Sequence, residues 1–281
     1  MEGLRGMEAE ERPDGVGQGL GRIVQGGAAL VGDVTGTVRF GFTERTGGAS
    51  AAPYDSLNLG AHVGDDSRAV AENRRRALAL LGAAHLEQRL LVPSQVHGDR
   101  VVVVDDAAAT DLASVREDIA QGADAIVCTA ADVPVLLCFA DCAPVVLVAE
   151  DTFAVAHSGW KGTYAGIAGK TARVLARSSG AHASSIQAYI GPHILGCEYE
   201  VSQDLLDRFV ERFGPGCAPT PGARLLDLSY CIKSSLMDAG VPPENVYDTG
   251  LSTMGLPGRF YSYRREGGVC GRHGALAVRL S

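Results

Sequence analysis

Three short segments of this chain carry side chains able to bind a metal ion or act as nucleophiles. Pro93-Ser94-Gln95-Val96-His97-Gly98 offers an imidazole. Phe139-Ala140-Asp141-Cys142-Ala143-Pro144 offers a thiol beside a carboxylate, and Ala156-His157-Ser158-Gly159-Trp160-Lys161-Gly162 a second imidazole. If His97, Cys142 and His157 converge, two imidazoles and one thiolate make a donor set that suits zinc and leaves a fourth position for water or substrate. The metal would deprotonate Cys142 outright. Without an ion, the same residues would serve as a cysteine nucleophile with a histidine base. Spacing alone also allows structural histidines and a small buried thiol. Asp141, next to Cys142, is a candidate to orient a histidine ligand or to accept a proton. Trp160, the only tryptophan, fits both a core anchor and a pocket wall.

Positioning these residues requires strands that end at a common point, because α/β folds gather their chemistry in the loops that leave buried strands. Short β-branched runs at 124–129, 135–139 and 145–149 read as such strands, and 152–156 continues the series. Further strands are expected at 37–43, 90–92, 101–105, 186–190, 246–248 and 276–280. Helices are expected at 66–81, 163–179, 202–213 and 228–239, closed by Gly82, Gly180, Gly214 and Gly240. Helices alternate with strands and strand pairs, which gives a mixed α/β (α+β) single domain with mixed β-sheets flanked by helices. Residues 1–33 are rich in glycine and charge and lack periodicity. They read as a flexible N-terminal tail ending in a short strand near Ala28–Val31. No linker divides residues 36–281.

Composition excludes several classes. At 46% hydrophobic and 21% charged, a chain of 281 residues can bury a sizeable core. A net charge of −8 opposes the basic surplus expected of a nucleic-acid binder. No apolar run approaches the roughly 20 residues of a membrane span. Residues 1–18 lack the apolar region of a secretory signal, so the chain reads as cytoplasmic. Seven scattered cysteines do not suggest a disulfide framework. Gly166-Ile167-Ala168-Gly169-Lys170-Thr171 is too short between its glycines for a phosphate loop. His85-Leu86-Glu87 lacks the paired cysteines of a zinc deaminase.

The motifs acquire a pattern when taken in order. In the N-terminal half stand Thr43-Glu44-Arg45-Thr46-Gly47-Gly48, Pro53-Tyr54-Asp55-Ser56-Leu57-Asn58-Leu59-Gly60, His62-Val63-Gly64-Asp65-Asp66 and Asn73-Arg74. The three segments above follow, then Ile190-Gly191-Pro192-His193-Ile194, Tyr199-Glu200-Val201 and Tyr261-Ser262-Tyr263-Arg264-Arg265. Over about residues 37–281 the sequence resembles the family called multicopper polyphenol oxidase, laccase-domain or peptidoglycan-editing factor proteins. The resemblance implies a zinc-dependent catalytic domain over 34–281, with zinc on His97, Cys142 and His157. It implies a purine nucleoside phosphorylase acting on adenosine, inosine, guanosine and methylthioadenosine, with adenosine deaminase activity. The partners would be a purine nucleoside and phosphate. A second implied activity is a hydrolase that removes a wrongly incorporated amino acid from a peptidoglycan precursor, with Cys142 as nucleophile or ligand.

The laccase label conflicts with the residue inventory. Multicopper sites are built mostly from paired His-x-His motifs, whereas this chain has seven histidines and no two of them two residues apart. A His₂Cys set also accommodates a single copper. Phosphorolysis needs a cationic phosphate site. Arg45 is the first candidate, followed by His62, Arg264 and Arg265, while Gln95 and Trp160 are candidates to contact the base. Arg45, His62 and Asp141 are the candidate catalytic side chains. The chain departs from the family pattern at Lys161, where arginine is usual, at Ser252, where cysteine is common, and at Cys270-Gly271-Arg272, where the family has Thr-Gly-Arg. None of these removes a candidate ligand. A zinc-stabilised scaffold remains an alternative, but so many polar motifs exceed what a scaffold needs.

Overall fold

Side chains alternate between the two faces of a strand, so a strand that is apolar throughout must be covered on both sides. The computed structural model describes residues 8–10 and 19–281. Its strands are β1 (Glu8–Glu10), β2 (Gly21–Gln25), β3 (Ala28–Asp33), β4 (Val38–Thr43), β5 (Val101–Val104), β6 (Ala125–Cys128), β7 (Val135–Phe139), β8 (Ala143–Ala149), β9 (Thr152–Ser158), β10 (Gln187–Ile190), β11 (Val246–Asp248) and β12 (His273–Arg279). They form two six-stranded sheets, ordered β1-β2-β3-β4-β12-β7 and β11-β10-β8-β9-β6-β5. The first sheet is antiparallel throughout, and the second adds parallel β5–β6 and β10–β11 pairs. This is the mixed α/β single domain expected from the alternation of elements.

The alternation sorts the core into three layers. Phe40, Phe42, Leu137 and Ala275 of the first sheet meet Ile126, Val146, Val155 and Tyr189 of the second. On the outer side of the second sheet, Val127, Val145 and Leu147 pack with residues of α4 (Ile167–Ser179), α5 (Gln203–Phe213) and α6 (Leu228–Met237). On the outer side of the first, Leu30, Leu136 and Leu276 pack under α1 (Ser67–Leu80). His157 lies on β9 in step with Phe153 and Val155, so its side chain continues the face between the sheets at the strand's end.

Several expected boundaries move. The strand expected near Ala28–Val31 is β3, buried over Ala28–Gly32, and it forms a hairpin with β2, so paired strand occupies Gly21–Asp33 within the segment expected as tail. Gly26 and Gly27, both at positive φ, make its two-residue turn. The rest of that tail, residues 1–7 and 11–18, lies outside the described residues. Residues 90–92 form no strand. Leu91 makes one parallel bridge to Val135 before Pro93 turns the chain away. The helix expected over 163–179 is two helices, α3 (Trp160–Ala165) and α4, separated by Gly166 at φ +80°. α2 (Leu112–Ala120), capped by the Asp111 carboxylate on Ser114 N–H, was not expected because its burial is slight and its pattern mixed. The last strand starts at His273, three residues earlier than its apolar run.

Candidate metal centre

The three sequence segments meet at one end of the inter-sheet core. His97 comes from the loop after Pro93, Cys142 from the β7–β8 turn and His157 from the end of β9. One donor atom from each lies within 4.8 Å of the others. The two imidazoles stand edge to face with ring centroids 4.7 Å apart. His157 is buried and Cys142 half-buried, whereas His97 is exposed, so the cluster opens to one side.

Asp124 holds the cluster together. It immediately precedes β6, its side chain is fully buried, and its Oδ1 receives His157 Nδ1 at 2.8 Å. That contact leaves Nε2 of His157 as the free donor. The same carboxylate accepts backbone N–H groups from Val96 (3.3 Å), His97 (2.9 Å) and Gly98 (2.7 Å). Three converging N–H groups hold His97 at φ +59°, a left-handed conformation that non-glycine residues seldom adopt. Burial opposes the charge on Asp124, but His157 and the Gly98 amide outweigh it and lower its pKa. Burial would likewise raise the Cys142 thiol, and the two imidazoles pull it down instead. His157 is raised despite its burial, chiefly by Cys142 and then by Asp124. The donor chemistry therefore favours a thiolate between two imidazoles. Gly159 keeps the space between them open, since a Cβ there would lie 2.9 Å from Cys142 Sγ and 3.2 Å from His97 Cδ2.

The cluster floors a cavity of about 1070 Å³. Trp160, Ile194, Tyr199 and Tyr263 supply apolar wall, and Tyr263 is largely exposed at 55%. His62 and Arg264 also line it. Arg264 Nη1 donates to the Glu200 carbonyl at 3.1 Å, and its guanidinium lies 5.3 Å from the Tyr199 ring centre.

Other candidates take different places. Arg45 is not among the described residues that line the cavity. Its guanidinium donates to the carbonyls of Asp55 and Pro257, pairs with Glu266 and lies 4.3 Å over the Tyr261 ring. Gln95 borders the cavity, but its amide is engaged twice by the backbone of Cys138. Nε2 donates to the carbonyl at 2.9 Å and Oε1 accepts the N–H at 2.7 Å. Arg265 is outside the lining and donates to the Met254 carbonyl. Asp141 lines the cavity at φ +85°, with both oxygens in use. Oδ1 accepts Thr253 Oγ1 and Oδ2 accepts Arg264 N–H, each at 2.7 Å. It touches the loop that carries Arg264, whereas the carboxylate on a cluster histidine is Asp124. The sequence signal for Asp124 was an acid at the mouth of a wholly apolar strand.

No helix among the described residues is long and apolar enough to cross a membrane. The family model described as multi-copper polyphenol oxidoreductase laccase matches residues 39–280. The purine nucleoside phosphorylase YlmD of Geobacillus stearothermophilus is 35% identical over 243 residues, covering 83% of this chain and 86% of that one. The purine nucleoside phosphorylase Rv2149c of Mycobacterium tuberculosis is 36% identical over 243 residues, covering 84% and 90%. Among solved structures, YlmD of Geobacillus stearothermophilus superposes with a TM-score of 0.80 at 32% identity, covering 96% of this chain and all of that one. The hypothetical protein YfiH of Bacillus licheniformis does so with a TM-score of 0.80 at 29% identity, covering 92% and 97%. With nearly the whole domain matched, the chain belongs to the multi-copper polyphenol oxidoreductase laccase family.

Proposed function

We propose that this protein is a purine nucleoside phosphorylase whose resident metal is zinc, held by His97, Cys142 and His157. The observation that carries the reading is a three-donor cluster lining a cavity with room for a nucleoside, in a chain about 35% identical to proteins named purine nucleoside phosphorylase. The donor set fits zinc. It provides one thiolate and two imidazoles, and the His157 ring is fixed by a carboxylate on its other nitrogen. Bound there, zinc would supply Lewis-acid polarisation of a substrate group or water.

The protein's own part is positioning. The aromatic walls offer flat apolar surface for a purine, with Trp160 and Tyr199 near the donor cluster. In phosphorolysis a phosphate oxygen forms a bond to C1′ of the ribose as the N9–C1′ bond breaks. Its electron pair passes to the base, which takes up a proton, and ribose 1-phosphate leaves. The second proposed activity is on adenosine, in which water replaces the 6-amino group and ammonia departs to leave inosine. Adenosine, inosine, guanosine and methylthioadenosine are the proposed substrates.

The test is chromatography with mass spectrometry of adenosine incubated with the purified protein, with and without phosphate, alongside its metal content. Adenine and ribose 1-phosphate formed only with phosphate are expected, with inosine as the deamination product. Adenosine unchanged by zinc-loaded protein would overturn the reading.

One observation favours a second reading. Cys142, His157 and Asp124 line up as thiol, imidazole and buried carboxylate, the arrangement of a cysteine hydrolase. Such an enzyme would cleave an amide, for example in a peptidoglycan precursor: the thiolate attacks the carbonyl, the C–N bond breaks as the amine leaves with a proton from His157, and water then opens the thioester to the acid and the free thiol. Rapid stoichiometric alkylation of Cys142 in the protein as purified would favour it, because a metal-bound thiolate is protected.

A further inference from the structure

Asn58, Leu59, Gly60 and His62 form a dense motif, yet none of them belongs to the donor cluster. The structure uses them to fix two arginines against the cavity. Arg74, on α1, donates from Nε and Nη2 to the Leu59 carbonyl at 3.0 and 2.9 Å. Leu59 N–H donates to the Arg272 carbonyl at 2.9 Å. Arg272 N–H in turn donates to Asn58 Oδ1 at 2.8 Å, which also accepts Gly60 N–H at 3.0 Å. Gly60 must be bare because the Arg272 side chain crosses it, and a Cβ there would stand 2.7 Å from Arg272 Cγ. Arg272 Nη1 donates to the carbonyls of Cys270 and Gly271 at 2.8 and 2.9 Å. His62, Arg74 and Arg272 all line the cavity that holds His97, Cys142 and His157.

The two arginines face no counter-charge among the described residues. Among the described residues, no carboxylate lies within ion-pair distance of Arg74 or Arg272. Asp65, an acid held by the same loop, is occupied by Ser50 Oγ, Asn58 Nδ2 and Asp66 N–H. Asp141 is the one carboxylate among the described residues lining the cavity, and Thr253 and Arg264 N–H fill its two oxygens. Arg74 and Arg272 are both half-buried. Partly desolvated positive charge held by neutral carbonyls and, for Arg272, by the Tyr263 ring is less well compensated than in an ion pair, and an anion brought into the cavity would supply the missing charge. The frame also holds the guanidinium groups before any ligand arrives, so binding costs little reorganisation. Burial, then Arg272 and Arg74, lower the His62 pKa, which favours a neutral imidazole able to donate or accept a hydrogen bond near pH 7.

We infer that His62, Arg74 and Arg272 form the subsite for inorganic phosphate, on the cavity wall beside the donor cluster. The inference rests on the phosphorylase reading and assigns its second substrate. A phosphate dianion has acceptors enough for the remaining donors of two guanidinium groups and for an imidazole. It also replaces Arg45, which pairs with Glu266 and is not among the described residues lining the cavity, as the phosphate-binding arginine.

Two measurements on the purified full-length protein test it: the affinity for inorganic phosphate by calorimetric titration, and steady-state kinetics with adenosine and phosphate. Arg272→Gln and His62→Gln are the main variants, because Arg74 also holds the Leu59 carbonyl. Arg272→Gln is expected to weaken phosphate binding and raise the phosphate KM about tenfold or more, with the adenosine KM changed less than about twofold. Arg272→Lys should recover part of the loss, which a merely structural role would not predict. Unchanged phosphate affinity in folded Arg272→Gln and His62→Gln would overturn the inference, even with phosphorolysis intact. Phosphate binding lost in Arg272→Gln, in a protein that turns over no nucleoside, would keep the subsite and refute the phosphorylase reading. A dependence on Arg272 for adenosine 5′-monophosphate but not for inorganic phosphate would place a substrate-borne phosphate there instead and overturn the assignment.

Discussion

At Asp124 one carboxylate does the work of two. It fixes the His157 ring through Nδ1 and holds the His97 backbone in its left-handed turn through three N–H donors. An amide in its place presents an NH₂ to donors on one side. Asp124→Asn should therefore lower zinc affinity by about 10- to 100-fold, measured by competition with a chelator in protein shown to be folded. Wild-type affinity in that variant would mean that the histidines are oriented by something else. Gly159→Ala tests the cluster from the opposite side, because the added Cβ would press on Cys142 Sγ and His97 Cδ2. It should reduce bound zinc while leaving the melting temperature near wild type, and full zinc content would show that the loop gives way. His97, Cys142 and His157 were legible in the sequence as residue types in suspicious settings. Asp124 was not, because its role depends on a partner 33 residues away and on the closure of a loop. Arg45 and Gln95 show the converse. Both look free for substrate in the sequence, and both spend their donors on backbone that only the fold brings near.

Elements place these residues through turns as much as through strands. The break at Gly166 lets α3 begin directly after the donor-bearing end of β9, while α4 lies back against the sheet. Gly166 sits at φ +80°, where an L-residue is strained by about 1–2 kcal/mol. Gly166→Ala should lower stability by about that amount in chemical denaturation, with zinc content retained. A stability equal to wild type would show that the two helices fuse without penalty. The sequence reads 163–179 as one helix because helical periodicity runs through the break, and a single internal glycine signals it only weakly. Strands β6 to β9 were the most legible elements. Burial on both faces leaves an almost continuous apolar run, and their limits move by only a residue or two. Of the β2–β3 hairpin only the inner strand was expected, near Ala28–Val31; β2 escaped because Gly21–Gln25 is partly buried along most of its length and shows no alternation of buried and exposed positions.

Across the whole molecule, the charged triad least visible in the sequence joins three distant parts of the chain. Glu44 follows β4, is fully buried, and receives Arg22 from the β2–β3 hairpin and Arg259 from the loop before β12. Nothing in the spacing of residues 22, 44 and 259 announces this, because the sheet order supplies the proximity. Burial raises the pKa of this carboxyl, but the hydrogen bonds from Arg22 and Arg259 prevail and hold it below the ordinary 4.5. The unfolded chain therefore takes up the proton first as pH falls. The stabilisation from Glu44 is complete above its unfolded value and is lost as pH drops through the lower folded one. Glu44→Gln should cost about 1–3 kcal/mol at pH 7, since it weakens charge-assisted bonds and leaves two part-buried guanidinium groups facing a neutral amide. The gap between the two proteins should then narrow as the pH is lowered below about 4.5, as wild-type Glu44 becomes neutral too. Urea unfolding at pH 7 and at stepped acid pH measures both effects. A gap that stays constant into acid would show that Glu44 contributes by packing rather than by its charge.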